Sequence, residues 1–211
     1  MMPEHKDLLR NYLGDHHIRD IDVCLDAFEN LIKELMRWNH AINLTAIRDE
    51  HGIVVRHFID SLTPLRFIGD RDFILDIGSG AGFPGIPIKL AKPSVRLVML
   101  DARSKKVNFI NSMINLLKLT DTAALHQRAE ARDFQALMAG SFDVVISRAA
   151  FPLPELASLS LPYLKKGGRL IAMQSKKAEG TAVRGDLQKI DEFATDLPDG
   201  SFRRIMIFKK G

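Results

Sequence analysis

Between Phe73 and Pro87 the chain reads FILDIGSGAGFPGIP, a segment whose residue types and spacing could do chemistry. Phe73, Ile74, Leu75 and Ile77 surround an acid, Asp76, and glycines follow at Gly78, Gly80, Gly82 and Gly85. A short apolar run predicts a buried strand, and the glycines predict a tight turn into a helix. Glycine serves where the backbone takes positive φ or must approach a ligand closely. Such a turn at the carboxyl end of a strand holds nucleotide-like cofactors. Gly80, Gly82 and Gly85 also spell G-x-G-x-x-G, the dinucleotide fingerprint. In that fingerprint a pyrophosphate rests on the turn and the helix N-terminus, and Asp76 would set a second anion beside it. A cationic ligand suits the position better. S-adenosylmethionine has a protonated amine and a sulfonium and no phosphate, so the D-x-G-x-G-x-G order favours the methyl donor over NAD.

A second acid supports an adenosine site. Arg96 to Leu100 (RLVML) is apolar and ends at Asp101, about twenty residues past the glycines. An acid there binds ribose hydroxyls. Both cofactors contain ribose, so Asp101 fits either, and an exposed strand-end acid is the plain alternative.

These residues need a sheet to hold them. Apolar runs at 73–77, 96–100, 122–126, 142–147, 168–173 and 202–208 predict strands, and 104–118 and 153–165 predict helices. Such alternation gives an α/β fold, a mostly parallel Rossmann-like sheet covered on both faces. The last run follows an Asp199-Gly200 turn and is expected to return antiparallel, as an edge hairpin. Upstream, Pro3 to Leu13 and Ile21 to Met36 carry apolar residues at three-to-four spacing, and a further helix is expected from Ile53 to Leu65. Residues 1–72 are thus expected to form an N-terminal helical cap on a cofactor-binding domain of residues 73–211, the two making one compact unit.

Composition narrows the class. The chain has 211 residues, 46% of them hydrophobic, enough for one ordinary domain. No run approaches the ~20 apolar residues of a membrane span, and MMPEHKDLLR lacks a signal peptide's apolar stretch. A cytoplasmic protein is expected, with no membrane contact. The single cysteine, Cys24, excludes an internal disulfide and any thiolate-rich zinc site, and it falls on the apolar stripe of its helix. The seven histidines are scattered without metal-helix spacing, so no metal is expected. The net charge of +4 is uneven: residues 1–72 hold 9 basic and 13 acidic residues, and residues 73–211 hold 21 and 13. Basic residues gather at Lys165, Lys166 and Arg169, at Lys176 and Lys177, and at Arg203, Arg204, Lys209 and Lys210. This is the electrostatic footprint of a nucleic-acid partner, or simply a solvated surface.

Several separated motifs agree with one family. Asn43-Leu44-Thr45, Arg56-His57-Phe58-Ile59-Asp60-Ser61, the glycine segment from Asp76 to Pro87 with its internal Pro84, and Ser147-Arg148-Ala149 occur in this order. The chain resembles the bacterial small-subunit rRNA methyltransferase G family, also called glucose-inhibited division protein B, most closely over roughly residues 40–175. The resemblance implies a class I methyltransferase sheet that moves a methyl from S-adenosylmethionine to N7 of a guanosine in 16S rRNA, in a loop near the decoding centre. The substrate would be 16S rRNA or the small ribosomal subunit, and the enzyme a monomer. Carried over by position, the cofactor contacts are Gly78 and Phe83 in the glycine loop, Ala129 and Glu130 after the third strand, and Arg148. Gly80 and Gly82 belong to the same loop, while Asp76 and Asp101 come from the physical argument above. In one departure, the family's Lys-Gly after the fifth strand is replaced by Met173-Gln174-Ser175-Lys176-Lys177. A lysine follows two residues later, as Lys176 or Lys177.

Guanine N7 is an exposed lone pair on the Hoogsteen edge. It needs no deprotonation, so no general base is expected and catalysis is mostly positioning. Asn43, His57 and Arg148 are the candidates to position the substrate. Arg148 could bind the cofactor carboxylate, steady the base, or form a salt bridge with Asp76 or Glu130. His57 and Asp60, one helical turn apart, could instead cap a helix or bridge to the main domain, and Asn43 and Thr45 could cap a turn. Two other readings stand: a methyltransferase of a small molecule or protein, and a non-catalytic or NAD-dependent protein on the same fold. The NAD-dependent version lacks a catalytic Tyr-Lys or His pair.

Overall fold

Apolar runs separated by turns build one seven-stranded sheet. The computed structural model describes residues 1–174 and 185–211; Ser175, Lys176 and Lys177 therefore lie outside the described residues. Strands β1 (Phe73–Ile77), β2 (Arg96–Asp101), β3 (Thr122–His126), β4 (Phe142–Arg148) and β5 (Leu164–Gln174) are parallel. β6 (Leu187–Asp196) and β7 (Phe202–Lys210) form an antiparallel hairpin, with β7 also antiparallel to β5. The order is β3-β2-β1-β4-β5-β7-β6. The chain runs outward one way from β1 and resumes on its other side at β4, so β1 and β4 flank the switch point where open α/β sheets bind ligands.

The strand expectations match, with one addition. β6 was not expected, because LQKIDEFATD offers no clean apolar alternation and most of its side chains are exposed at the sheet edge. Charged side chains are how edge strands avoid pairing with other chains. The helix expected over 153–165 is shorter, α8 (Leu153–Ser160). Pro162 has no N–H to continue the ladder, and Tyr163 N–H turns back to the Ser160 carbonyl at 3.1 Å.

Helices α1 (Pro3–Asp15) and α2 (Ile21–Ile42) pack on one face of the sheet. The helix expected from Ile53 to Leu65 is a composite: α3 (Glu50–Ile53), a π-helical turn (Val54–Ile59) and α4 (Asp60–Leu62). Asp49 starts it early by accepting the Gly52 N–H at 2.7 Å. π-turns concentrate at functional sites, and this one carries His57. A 3-10 turn (Leu65–Phe67), α5 (Gly85–Ala91), α6 (Ser104–Leu116) and α7 (Arg132–Met138) complete the helices among the described residues; none is long and apolar enough to cross a membrane.

Two apolar layers cover the sheet. One joins Leu9, Leu25 and Phe58 to Ile74, Met99, Ile110 and Ile146 in a single cluster, so the N-terminal helices share a core with the sheet. The other holds Leu75, Ile77, Val98, Phe142, Val145 and Tyr163. Cys24 is buried in the first. Strand alternation sends Ile74 and Asp76 to one face and Leu75 and Ile77 to the other, which decides where Asp76 points.

Gly82 has φ +85°, and a Cβ there would lie 2.8 Å from Ile86 Cγ1. Gly140 has φ +59° with open space around it. Gly82→Ala should therefore lower unfolding free energy by about 2–3 kcal/mol and Gly140→Ala by about 1 kcal/mol, measured by urea denaturation.

Candidate active site

The glycine turn folds back on the neighbouring strand before it reaches the cleft. Gly78 N–H and Ser79 N–H both donate to the Leu100 carbonyl, at 2.9 and 3.0 Å. Gly78 (φ +71°), Gly80 (φ +61°) and Gly82 make this path with left-handed backbone, and the Phe83–Pro84 peptide is cis. A Cβ on Gly78 would lie 2.7 Å from Ala150 Cβ, so the loop after β4 closes against the turn. Asp101, at the end of β2, fastens both edges: Gly80 N–H donates to its Oδ2 at 2.9 Å and Arg103 N–H to its Oδ1 at 2.9 Å. Lys106 Nζ stands 3.9 Å from Oδ2.

A cleft of about 490 Å³ opens over these strand ends. It gathers Gly78, Gly80, Phe83, Asp101, Ala129, Glu130, Arg148 and His57, eight of the residues named from sequence. Thr45 and Lys106 also line it. Sequence reasoning gave Thr45 only a turn-capping alternative and passed over Lys106. The signal for Lys106 was its place one turn into the helix that follows Asp101.

Asp76, Gly82 and Asn43 are not on the cleft wall. Asp76 is fully buried on the face that α5 covers, and its Oδ2 accepts the Gly85 N–H at 2.9 Å. Its Oδ1 has no partner among the described residues. Burial pushes the carboxyl up to about 7, and the Gly85 N–H and Arg148 oppose that rise. Gly82 packs against Ile86 and Ile110. Asn43 ends α2 in the left-handed region (φ 48°), where its Oδ1 accepts from Arg48 at 3.2 Å.

A polar cluster forms the wall contributed by the N-terminal segment. Arg148, at the end of β4, donates from Nη1 to the Arg56 carbonyl at 2.7 Å and to Asp60 Oδ2 at 3.0 Å. Its Nη2 donates to His57 Nδ1 at 3.0 Å. Arg203 Nε donates to Asp60 Oδ1 at 2.7 Å. The carboxylate that pairs with Arg148 is therefore Asp60, rather than Asp76 or Glu130. His57 stacks on Phe83 with ring centres 4.4 Å apart and planes 5° from parallel, and its Nε2 lies 2.8 Å from Thr45 Oγ1. Burial first, then the charges of Arg148 and Arg203, drive the His57 imidazole down to about 3. At neutral pH it is uncharged, with both ring nitrogens engaged.

Part of the basic surface is internally paired. Lys165 bridges Asp143, Arg169 bridges Asp72 and Arg204 bridges Glu192. Arg103 and Lys106 add positive charge at the cleft itself. Among the described residues, no group of three or more His, Cys, Asp or Glu is placed to hold a metal.

A family model described as rRNA small subunit methyltransferase G matches residues 24–194. The chain belongs to the rRNA small subunit methyltransferase G family. A member from Lachnoclostridium phytofermentans is 38% identical over 87% of this chain and 79% of its own length. One from Geobacter sp. strain M21 is 38% identical over 90% and 87%. At the level of fold, a solved SAM-dependent methyltransferase from Aquifex aeolicus superposes with a TM-score of 0.56 at 17% identity, covering 78% of this chain and 96% of that one. As a family G member the chain is an rRNA methyltransferase, and the cleft over β1, β2 and β4 lies where its sheet places a ligand.

The two shifted groups act oppositely on stability. Asp76, raised, binds its proton more tightly folded than unfolded, so its contribution falls as pH rises from about 4 through 7. His57, lowered, contributes fully above about 6.5 and progressively less as pH drops towards 3. Relative to the parent, Asp76→Asn should gain on the order of 2 kcal/mol between pH 5 and pH 8, and His57→Gln should gain on moving from pH 7 to pH 5. Urea midpoints at the three pH values check both slopes.

Proposed function

We propose that the chain transfers the methyl group of S-adenosylmethionine to N7 of a guanosine in 16S rRNA, in a loop near the decoding centre. It acts as a metal-free cytoplasmic monomer whose residues 1–72 cap the catalytic sheet. The observation that carries this reading is the cleft at the switch point, with a glycine turn and an acid on one side and a neutral, fully bonded His57–Arg148 wall on the other. The residues present fit the cofactor. Asp101 uses one lone pair of each oxygen for a backbone N–H and keeps the others for ribose hydroxyls. Gly78 and Gly80 let the backbone approach, and Ala129, Glu130, Phe83 and Arg148 line the same cleft. Bound there, S-adenosylmethionine supplies an electrophilic methyl.

The protein's part is to orient. N7 attacks with a lone pair it already has, so no side chain need remove a proton. His57 could not do so readily, because its Nδ1 lone pair is held by Arg148. What remains is alignment of N7 with the methyl at about 3–3.5 Å. Asp76 and Gly82 serve the cofactor from behind the turn, as supports of its shape.

Labelled S-adenosylmethionine incubated with small subunits, or with naked 16S rRNA, from cells lacking the enzyme should label the RNA. Borohydride–aniline treatment should then cut it at one new site. Label in neither substrate, or no new cleavage, refutes the reading. The support role of Asp76 is checked by calorimetry: Asp76→Asn should hold S-adenosylmethionine within about threefold of the parent, while Asp101→Asn should weaken it by roughly tenfold or more.

A further inference from the structure

Along one wall of the cleft the directions of the hydrogen bonds are forced. Arginine has donors only, so the 3.0 Å contact from Arg148 Nη2 to His57 Nδ1 requires a lone pair on that nitrogen. A neutral imidazole with Nδ1 bare carries its proton on Nε2, which lies 2.8 Å from Thr45 Oγ1. Thr45 therefore accepts that bond. It accepts a second from the Ile47 N–H at 3.2 Å. A hydroxyl has two lone pairs and one proton, so both acceptor positions of Thr45 are filled and only its O–H is left to give. Among the described residues no acceptor is placed to receive it. Thr45 is half-buried and lines the cleft beside His57 and Phe83.

The two purines differ at the atom next to N7: guanine presents O6, an acceptor, and adenine presents N6–H₂, a donor. We infer that Thr45 is a specificity residue, whose O–H, aimed by the Arg148–His57 chain, donates to guanine O6 and opposes the adenine amino group. This rests on the guanine-N7 reading above. Arg148 and His57 are positioning residues in this chain of bonds, since they act on the base through Thr45. A site built to bond a polar group discriminates through the unpaired donor it leaves against the wrong partner. The Arg148 end cannot reverse, so neither can the threonine end.

The test compares 16S rRNA carrying guanine or 2-aminopurine at the methylated position, as mapped by aniline cleavage. 2-Aminopurine keeps N7 and the 2-amino group but has a hydrogen in place of O6. Thr45→Val should lower kcat/KM on the guanine RNA by roughly tenfold or more, with no further loss on the 2-aminopurine RNA. Its Kd for S-adenosylmethionine should equal the parent's, and Thr45→Ser should retain most activity. Equal losses on the two RNAs by a variant that melts like the parent, no loss on guanine, or a loss that follows weakened cofactor binding would each overturn the inference. A misfolded valine variant would show itself as equal losses and a lowered melting temperature; the inference then turns on the serine variant, whose guanine preference must match the parent's. If the parent protein methylates no guanine in either substrate, the functional reading fails and this one with it. If the parent methylates normally while the guanine preference survives Thr45→Val, this inference fails alone.

Discussion

Asp60 is a carboxylate with 1% of its surface exposed, held between two guanidinium groups. Burying such a charge is unfavourable unless it is paired and hydrogen-bonded. Here each oxygen receives one arginine, Arg148 from the end of β4 and Arg203 from β7. Removing Asp60 would leave two guanidinium groups facing each other without their shared carboxylate, so it is the member the cluster depends on. It ties three distant stretches of chain, with partners 88 and 143 residues apart in sequence. Arg148, fixed by Asp60 and the Arg56 carbonyl, in turn fixes His57, which lies flat on Phe83 of the glycine turn. The π-helical turn over Val54–Ile59 is the backbone's accommodation to these demands, since one turn must deliver both a carbonyl and an imidazole to the same guanidinium.

The glycine turn is built between two acids with different duties. Asp101 stands in front, its backbone-fastened carboxylate facing the cleft. Asp76 stands behind, gripping the first N–H of α5. The bland geometry of a strand separates them. Alternation sends Asp76 to the face that α5 covers, while Asp101 closes its strand at the rim. A dipole-facing carboxylate at a helix N-terminus is favourable, which offsets part of the desolvation that raises Asp76. Gly85 has to be glycine for this packing, because a Cβ would sit 2.9 Å from both Asp76 Oδ2 and Met99 Sδ.

Much of this was legible in the chain, for identifiable reasons. Strands flanked on both sides in the sheet are buried and read as apolar runs, so β1, β2, β4, β5 and β7 stand out, and the edge strand β3 is legible through its Ala123-Ala124-Leu125 run. β6 did not, because an exposed edge strand is selected for charge. The resemblance and the glycine spacing brought most cleft residues together, since loops at strand ends meet wherever the sheet has this topology. The direction of Asp76 was not legible: a period of two separates its face from that of Ile77 but does not say which face a helix will cover. Nor was the partner of Arg148, because Asp60 meets it only through a turn whose π-helical winding has no signature in residue types. Thr45 was visible only as a turn former, and its role depends on a proton whose position is set two hydrogen bonds away, by Arg148.

That dependence fits the chemistry. Transfer of a methyl from a sulfonium to a neutral ring nitrogen moves positive charge from one ligand to the other and asks the protein for no proton. A titrating side chain at such a site would add a second charge state and gain nothing. The cleft instead holds a histidine depressed far below neutrality and an arginine committed to four contacts counting the Phe83 face. Groups bonded to this degree have little freedom to rotate, and in a low-dielectric wall each bond reinforces its neighbours. The rate advantage available is then that of orientation, which can lower a barrier by several kcal/mol when both reactants are held in line. A saturated polar wall is the form in which a protein supplies orientation and selection together: every donor and acceptor is spent on its neighbour except the last, and the last faces the base.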